Sequence, residues 1–186
     1  MKAEVFFDGG ARPTNPGHAG CGVVVKVAGQ KIRVGRYLGI KTNNEAEFIG
    51  LIVGLKIALD KGADQVVITG DSLNVLNTVK GDWQCRKDTL KPLHREAQQL
   101  VAKFENGAKF VHVRGHQGHV ENEECDKLAT NAAKHGMVHR RNSNPFTVRA
   151  LGRVPDEGEI VDVFAPPMPG PSSFLRNHLR ARGQAQ

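Results

Sequence analysis

Apolar and polar residues alternate in period along the chain, and the changes of period mark its elements. Residues 3–7 (AEVFF) are a short apolar run that stops at Asp8-Gly9-Gly10. Apolar side chains that would face both sides suit a central strand. Residues 9–20 are dense in Gly, Pro and Asn, which predicts a loop. The β-branched run 21–27 (CGVVVKV) predicts a second strand, and 31–40, after the short turn at Ala28-Gly29-Gln30, a third. Three strands on short connections form an antiparallel meander.

The period then becomes helical. Phe48, Leu51, Ile52, Leu55, Ala58 and Leu59 fall on one face, with Thr42, Asn43 or Asn44 available as cap and Gly62 as stop. VVIT (66–69) predicts a strand ending at Gly70-Asp71-Ser72, followed by a short helix over 73–80. An amphipathic helix over 89–104 points Leu93, Ala97, Leu100, Val101 and Phe104 inward. KFVHV (109–113) predicts the last strand, followed by a loop and a helix from about 122 to 135. The order βββαβααβα implies an α/β fold with one five-stranded mixed sheet: a three-strand meander plus two parallel strands, flanked by helices. Residues 1–136 are expected to form the domain. Residues 137–186, with four prolines in 165–171, read as a Pro-rich basic extension, largely disordered.

Charge narrows the partners. The chain carries 26 Lys and Arg against 19 Asp and Glu, a net charge of +7, which favours polyanions. The surplus is not confined to the extension: residues 1–136 hold a net +4. Three scattered cysteines, Cys21, Cys85 and Cys125, give no disulfide framework and fit a reducing compartment. No apolar run suits a signal peptide or a membrane span, so the cytoplasm is the expected location.

Four acids occupy positions that a core would not choose. Asp8 and Asp71 each follow an apolar strand, and parallel neighbours would bring both to one sheet edge. Glu47 borders the apolar stripe of its helix, and Asp126 sits similarly on the last. Taken singly, each has an ordinary reading as turn, cap or surface charge. Taken together, converging carboxylates repel unless cations are present, and hard oxygen donors suit Mg²⁺ or Mn²⁺.

Residues 2 to about 135 resemble the type 1 ribonuclease H (ribonuclease HI) family. The segments that carry the likeness are FFDGGARPTNPGHAG, TNNEAEFIGLIVGL, ITGDSLNV and VRGHQGHVENEECDKLA, in that order. The resemblance implies hydrolysis of the RNA strand of an RNA–DNA hybrid by two divalent ions, Mg²⁺ or Mn²⁺, leaving 5′-phosphate and 3′-hydroxyl ends. It implies Asp8, Glu47, Asp71 and Asp126 as metal ligands, with the glutamate falling on Glu47 rather than Glu45. His116 would assist proton transfer or product departure. Asn15, Asn43 and Asn44 match positions that read 2′-hydroxyls, and Thr42 a phosphate contact. Trp83 either stacks on a deoxyribose or plugs a core edge. The expected partner is the hybrid, bound by a monomer without a membrane. Two alternatives remain: a hybrid- or duplex-RNA-binding module without catalysis, and a DNA-directed nuclease of the same superfamily. The region GDWQCRKDTLKP is short where well-known bacterial members carry a basic, Trp-rich protrusion.

Overall fold

The computed structural model describes residues 1–115, 117–141 and 160–162, with side chains through residue 136. Six strands and four helices follow the chain as β1 (Lys2–Arg12), β2 (Gly17–Val27), β3 (Gln30–Lys41), α1 (Asn43–Asp60), β4 (Gln65–Gly70), α2 (Leu73–Lys80), α3 (Lys91–Val101), β5 (Ala108–His112), α4 (Val120–Arg141) and β6 (Ile160–Asp162). The strands form one sheet in the order β5-β4-β1-β2-β3-β6. β1 lies centrally, antiparallel to β2 and parallel to β4, and β5 runs parallel to β4. The expected five-stranded mixed sheet is thus present.

Three features differ from the expectation. β1 does not stop at Asp8: Gly9 to Arg12 stay paired with Cys21 to His18, so the loop shrinks to residues 13–16. Backbone pairing needs no side chain, and a glycine-rich stretch reads as loop only when nothing forces it straight. α4 continues to Arg141, past the boundary expected at 136. Ile160–Asp162 adds a sixth strand, parallel to Arg33–Gly35 at the free edge of the meander. The remainder of the extension, where disorder is expected, lies outside the described residues.

Both faces of the sheet are covered. Val5, Phe7, Val23, Val25 and Ile68 pack beneath α1 with Phe48, Leu51 and Leu55, all at most 1% exposed. Full burial of such a side chain stabilises by about 1.5–3 kcal/mol. On the other face Phe6, Val24 and Cys125 form a smaller cluster beneath α4. Ion pairs from Lys26 to Glu121 and from Lys31 and Arg33 to Glu124 pin α4 to the meander. They are partly exposed, and each contributes roughly 0–1 kcal/mol.

Two glycines set how closely the helices approach. A Cβ on Gly9 would strike the backbone of Ala46 and Glu47 at the start of α1. A Cβ on Gly22 would strike the Cys125 carbonyl of α4. Gly22 pairs with Asp8 across the sheet, so both helices are drawn against the same short stretch of β1.

Candidate active site

Asp8, Glu47 and Asp71 each offer a carboxylate oxygen, and these oxygens lie within 4.8 Å of one another. Their convergence follows from the fold. Pairing between β1 and β4 ends at Phe6 and Thr69, so Asp8 and Asp71 both lie just beyond the last paired rung, at one rim. Alternation along β1 puts Asp8 on the Phe6 side, toward α4. Glu47 comes over the rim from α1, on the opposite face, because Gly9 admits the helix backbone.

Each carboxylate is held. The Gly9 N–H donates to Asp8 Oδ1 at 2.7 Å. The Ser72 hydroxyl donates to Glu47 Oε2 at 2.6 Å, and Ser72 also caps α2. Asn122, on α4 and only 3% exposed, places its amide 3.4 Å from Asp71 Oδ2. The loop returns to the same acid: a Cβ on Gly115 would lie 2.7 Å from Asp71 Oδ2. Ser72 and Asn122 were not legible as site residues, since a serine after a strand and an asparagine opening a helix look like caps.

Asp126 stands outside this close group among the described residues. It lies one helical turn beyond Asn122, and its Oδ1 is 3.5 Å from the Thr130 hydroxyl one turn further on. Asn122, Asp126 and Thr130 therefore share the α4 face that borders the rim. His116 lies outside the described residues.

Burial is the largest cause of an elevated Glu47 pKa, raised from 4.5 to about 7, and Asp8 and Asp71 add to it by repulsion. The Ser72 hydrogen bond opposes the rise. Such a proton-holding acid among acids fits a site built for a divalent cation. The sign of its effect on stability follows. Between pH 4.5 and about 7 the folded chain holds a proton that the unfolded chain has released. Folding is therefore favoured at the acid end, and the contribution disappears as pH rises through 7. The loss is on the order of 3 kcal/mol. Glu45, Glu121 and Glu124 are shifted downward, so their contributions are lost only in acid and leave this window clear. Thermal melts in chelator should show the wild type losing stability from pH 5 to 8, and Glu47→Gln losing much less. A wild type and variant with parallel pH profiles would contradict the crowding.

The remaining candidates separate into classes. Thr42 caps α1 in a capping box: its hydroxyl accepts from the Glu45 N–H and donates to Glu45 Oε2 at 2.8 Å. Glu45 is thereby committed to the cap, which accounts physically for Glu47 being the acid at the rim. Asn43 accepts from the Ala11 N–H at 2.7 Å, and Asn15 accepts from the Asn43 N–H at 3.1 Å. Both amides spend their oxygen on backbone and keep their nitrogen as a donor. Asn44 lines a separate recess of about 300 Å³ with Asn74, Arg86 and Lys87. Trp83 is 50% exposed and so does not plug a core edge. Cys125 is buried, which pushes its thiol pKa well up and makes it core rather than nucleophile. A cleft of about 510 Å³, lined by Gly9, Gly10, Arg12, Asn43 and Glu47, opens beside the acids.

Comparison with known proteins agrees with this geometry. The RNase H family model matches residues 1–134. A ribonuclease H of Desulforamulus reducens is 33% identical over 145 residues, covering 72% of this chain and 89% of that protein. RNase H1 of Halobacterium salinarum superposes with a TM-score of 0.64 at 31% identity, covering 73% of this chain and 99% of that one. LC11-RNase H1, solved in complex with an RNA/DNA hybrid, superposes with a TM-score of 0.63 at 27% identity, covering 73% and 99%. No helix among the described residues is long and apolar enough to cross a membrane. With its mixed sheet, its rim of three acids and this match over most of its length, the chain belongs to the RNase H family, as a ribonuclease H enzyme.

Proposed function

We propose that the chain hydrolyses the RNA strand of RNA–DNA hybrids with two divalent cations, Mg²⁺ or Mn²⁺, leaving 5′-phosphate and 3′-hydroxyl ends. The observation that carries this reading is the convergence of Asp8, Glu47 and Asp71 within 4.8 Å at one rim. Asp8, Glu47 and Asp71 would hold one cation, and Asp126, on the bordering face of α4, would complete the second site with Asp8. Bound there, such ions activate water and stabilise the charge developing on the phosphate and leaving oxygen.

The chain's own groups do the positioning. The Gly9 N–H and the Ser72 hydroxyl each occupy one carboxylate oxygen and fix the direction of Asp8 and Glu47. Such fixed placement means little reorganisation is needed at the moment of reaction. Asn15 and Asn43 donate to 2′-hydroxyls through amide nitrogens left over after their oxygens are engaged, which selects RNA over DNA. Asn44 contacts the same strand from α1. Thr42 acts by fixing the start of α1, since its hydroxyl is already engaged with Glu45. His116 moves a proton or releases product. Trp83, exposed beyond α2, stacks on the DNA strand. The three converging acids all come from one chain, which fits action as a monomer.

The test is cleavage of end-labelled hybrid across Mg²⁺ and Mn²⁺ series. The RNA strand should be cut only with cation, with the DNA strand and duplex DNA intact. Hybrid retention without cleavage in Mn²⁺ would instead indicate a binding module, and cleavage of branched DNA in preference to hybrid a DNA-directed nuclease.

A further inference from the structure

Arg12 ends β1 and lines the same cleft as Glu47 and Asn43. Its Nη2 donates to Thr130 Oγ1 of α4 at 3.0 Å. Among the described residues no carboxylate pairs with it, as is also true of Arg36, whereas Lys26, Lys31, Arg33 and Lys41 on the same meander have acidic partners. A guanidinium carries five N–H donors in a planar fork, and one bond to a neutral hydroxyl leaves most of them for an anion.

The surroundings hold this cation in place. Residue 11, just before it, is fixed to α1 through the Ala11 N–H and Asn43 Oδ1. Asn15, beyond it in the turn, is fixed to the Asn43 N–H. Thr130 fixes Arg12 itself to α4, one turn from Asp126. The end of the hairpin thus bridges the two helices that border the acids. A cation pinned beside a rim of carboxylates, yet paired with none of them, suits an anion that arrives with the substrate.

We propose that Arg12 holds a backbone phosphate of the strand in the cleft, next to the phosphate that is cut and on its α4 side. The assignment rests on the nuclease reading above. Phosphate is favoured because its oxygens accept two parallel N–H bonds from the fork. The tether to Thr130 keeps side-chain entropy from being lost at binding, so the contact raises affinity rather than only steering the approach.

The test uses the full chain carrying Asp71→Asn, so that labelled hybrid is bound and not consumed. Hybrid affinity is measured by fluorescence anisotropy over a salt series in Mg²⁺. Adding Arg12→Gln should weaken binding roughly ten-fold and reduce the slope of log affinity against log salt by about 0.7–0.9, the share of one phosphate. Arg12→Lys should keep the slope and lose part of the affinity. Thr130→Ala removes the tether and not the charge, so it should leave the slope unchanged. In the otherwise wild-type chain, Arg12→Gln should raise KM more than it lowers kcat. An unchanged slope in Arg12→Gln, or the same slope change in Thr130→Ala, would show Arg12 to be only a clamp between hairpin and helix and would overturn the assignment. Those outcomes leave the nuclease reading intact; a wild-type chain that fails to cut hybrid would remove that reading instead.

Discussion

Replacing Asp71 with asparagine should reduce hybrid cleavage by at least about a thousand-fold while leaving the fold intact. Stabilisation of transition-state charge by a bound cation contributes several kcal/mol, and every 1.36 kcal/mol is a factor of ten in rate. Asparagine keeps the shape of the side chain. It also keeps the carbonyl oxygen that can accept from Asn122, whose amide lies 3.4 Å from Asp71 Oδ2. What it removes is one of three carboxylates whose oxygens lie within 4.8 Å of one another. The metal-free variant should therefore melt no lower than the wild type, since like-charge repulsion at the rim is relieved. Steady-state cleavage and melts in chelator, run on the same preparations, separate the two effects. Substantial cleavage by the variant would remove Asp71 from the mechanism, and a marked fall in melting temperature would make it a structural residue.

The second large effect is expected at a residue without a side chain. Gly9→Ala places a methyl group against the backbone of Ala46 and Glu47. Backbone cannot turn away as a flexible side chain can, so α1 must shift or β1 must bend. Overpacking of this kind costs about 1–3 kcal/mol. For a chain of this size that corresponds to a fall of roughly 2–12 °C in melting temperature. The loss of activity should be larger in proportion. A displacement of about 1 Å at a catalytic group can cost around a hundred-fold, and Glu47 is carried by the backbone that must move. Gly10→Ala is the internal comparison, because a Cβ there meets nothing within 4 Å. It should leave the melting temperature unchanged. Equal melting behaviour of the two variants would show that the close approach at Gly9 does not position the helix.

These glycines also show what the sequence conveyed and what it concealed. The apolar stripe of α1, the β-branched strands and the order of elements were legible because burial on one face imposes a period. Phe48, Leu51, Ile52, Leu55 and Ala58 are all buried as that period requires. Gly9 and Gly10 read as a loop because composition does not distinguish a glycine that turns the chain from one that lets a helix touch a strand. The contribution of Ile160–Asp162 was hidden for a different reason. Three residues are too few to show a period, and edge pairing uses backbone groups that every sequence supplies.

The site divides along the same line. Asp8 and Asp71 were legible because an acid directly after an apolar strand conflicts with burial, and a conflict of that kind points to function. Glu47 stood out by bordering the apolar stripe, the resemblance set it apart from Glu45, and the capping box at Thr42 supplies the physical reason. Ser72, Asn122 and Arg12 gave no comparable conflict. Each is polar at a place where polar residues are ordinary, and only the folded arrangement brings them to the rim. Asp126 was expected to complete one metal site beside the central acids, and it lies on the bordering face of α4, one turn beyond Asn122. Helix periodicity fixes the direction in which a residue faces, while its distance from a partner depends on packing that no local pattern encodes.

If Asp8, Glu47 and Asp71 form one cation-holding centre, calorimetric titration of Mn²⁺ into the metal-free chain near pH 7 should register it. Because Glu47 titrates at about 7 there, binding should expel a fraction of a proton, and the measured heat should depend on the ionisation enthalpy of the buffer. Asp8→Asn, Glu47→Gln and Asp71→Asn should each weaken binding strongly, and Glu47→Gln should also abolish the buffer dependence. Binding that survives all three substitutions, or no binding by the wild type, would show that these acids do not form a shared cation site.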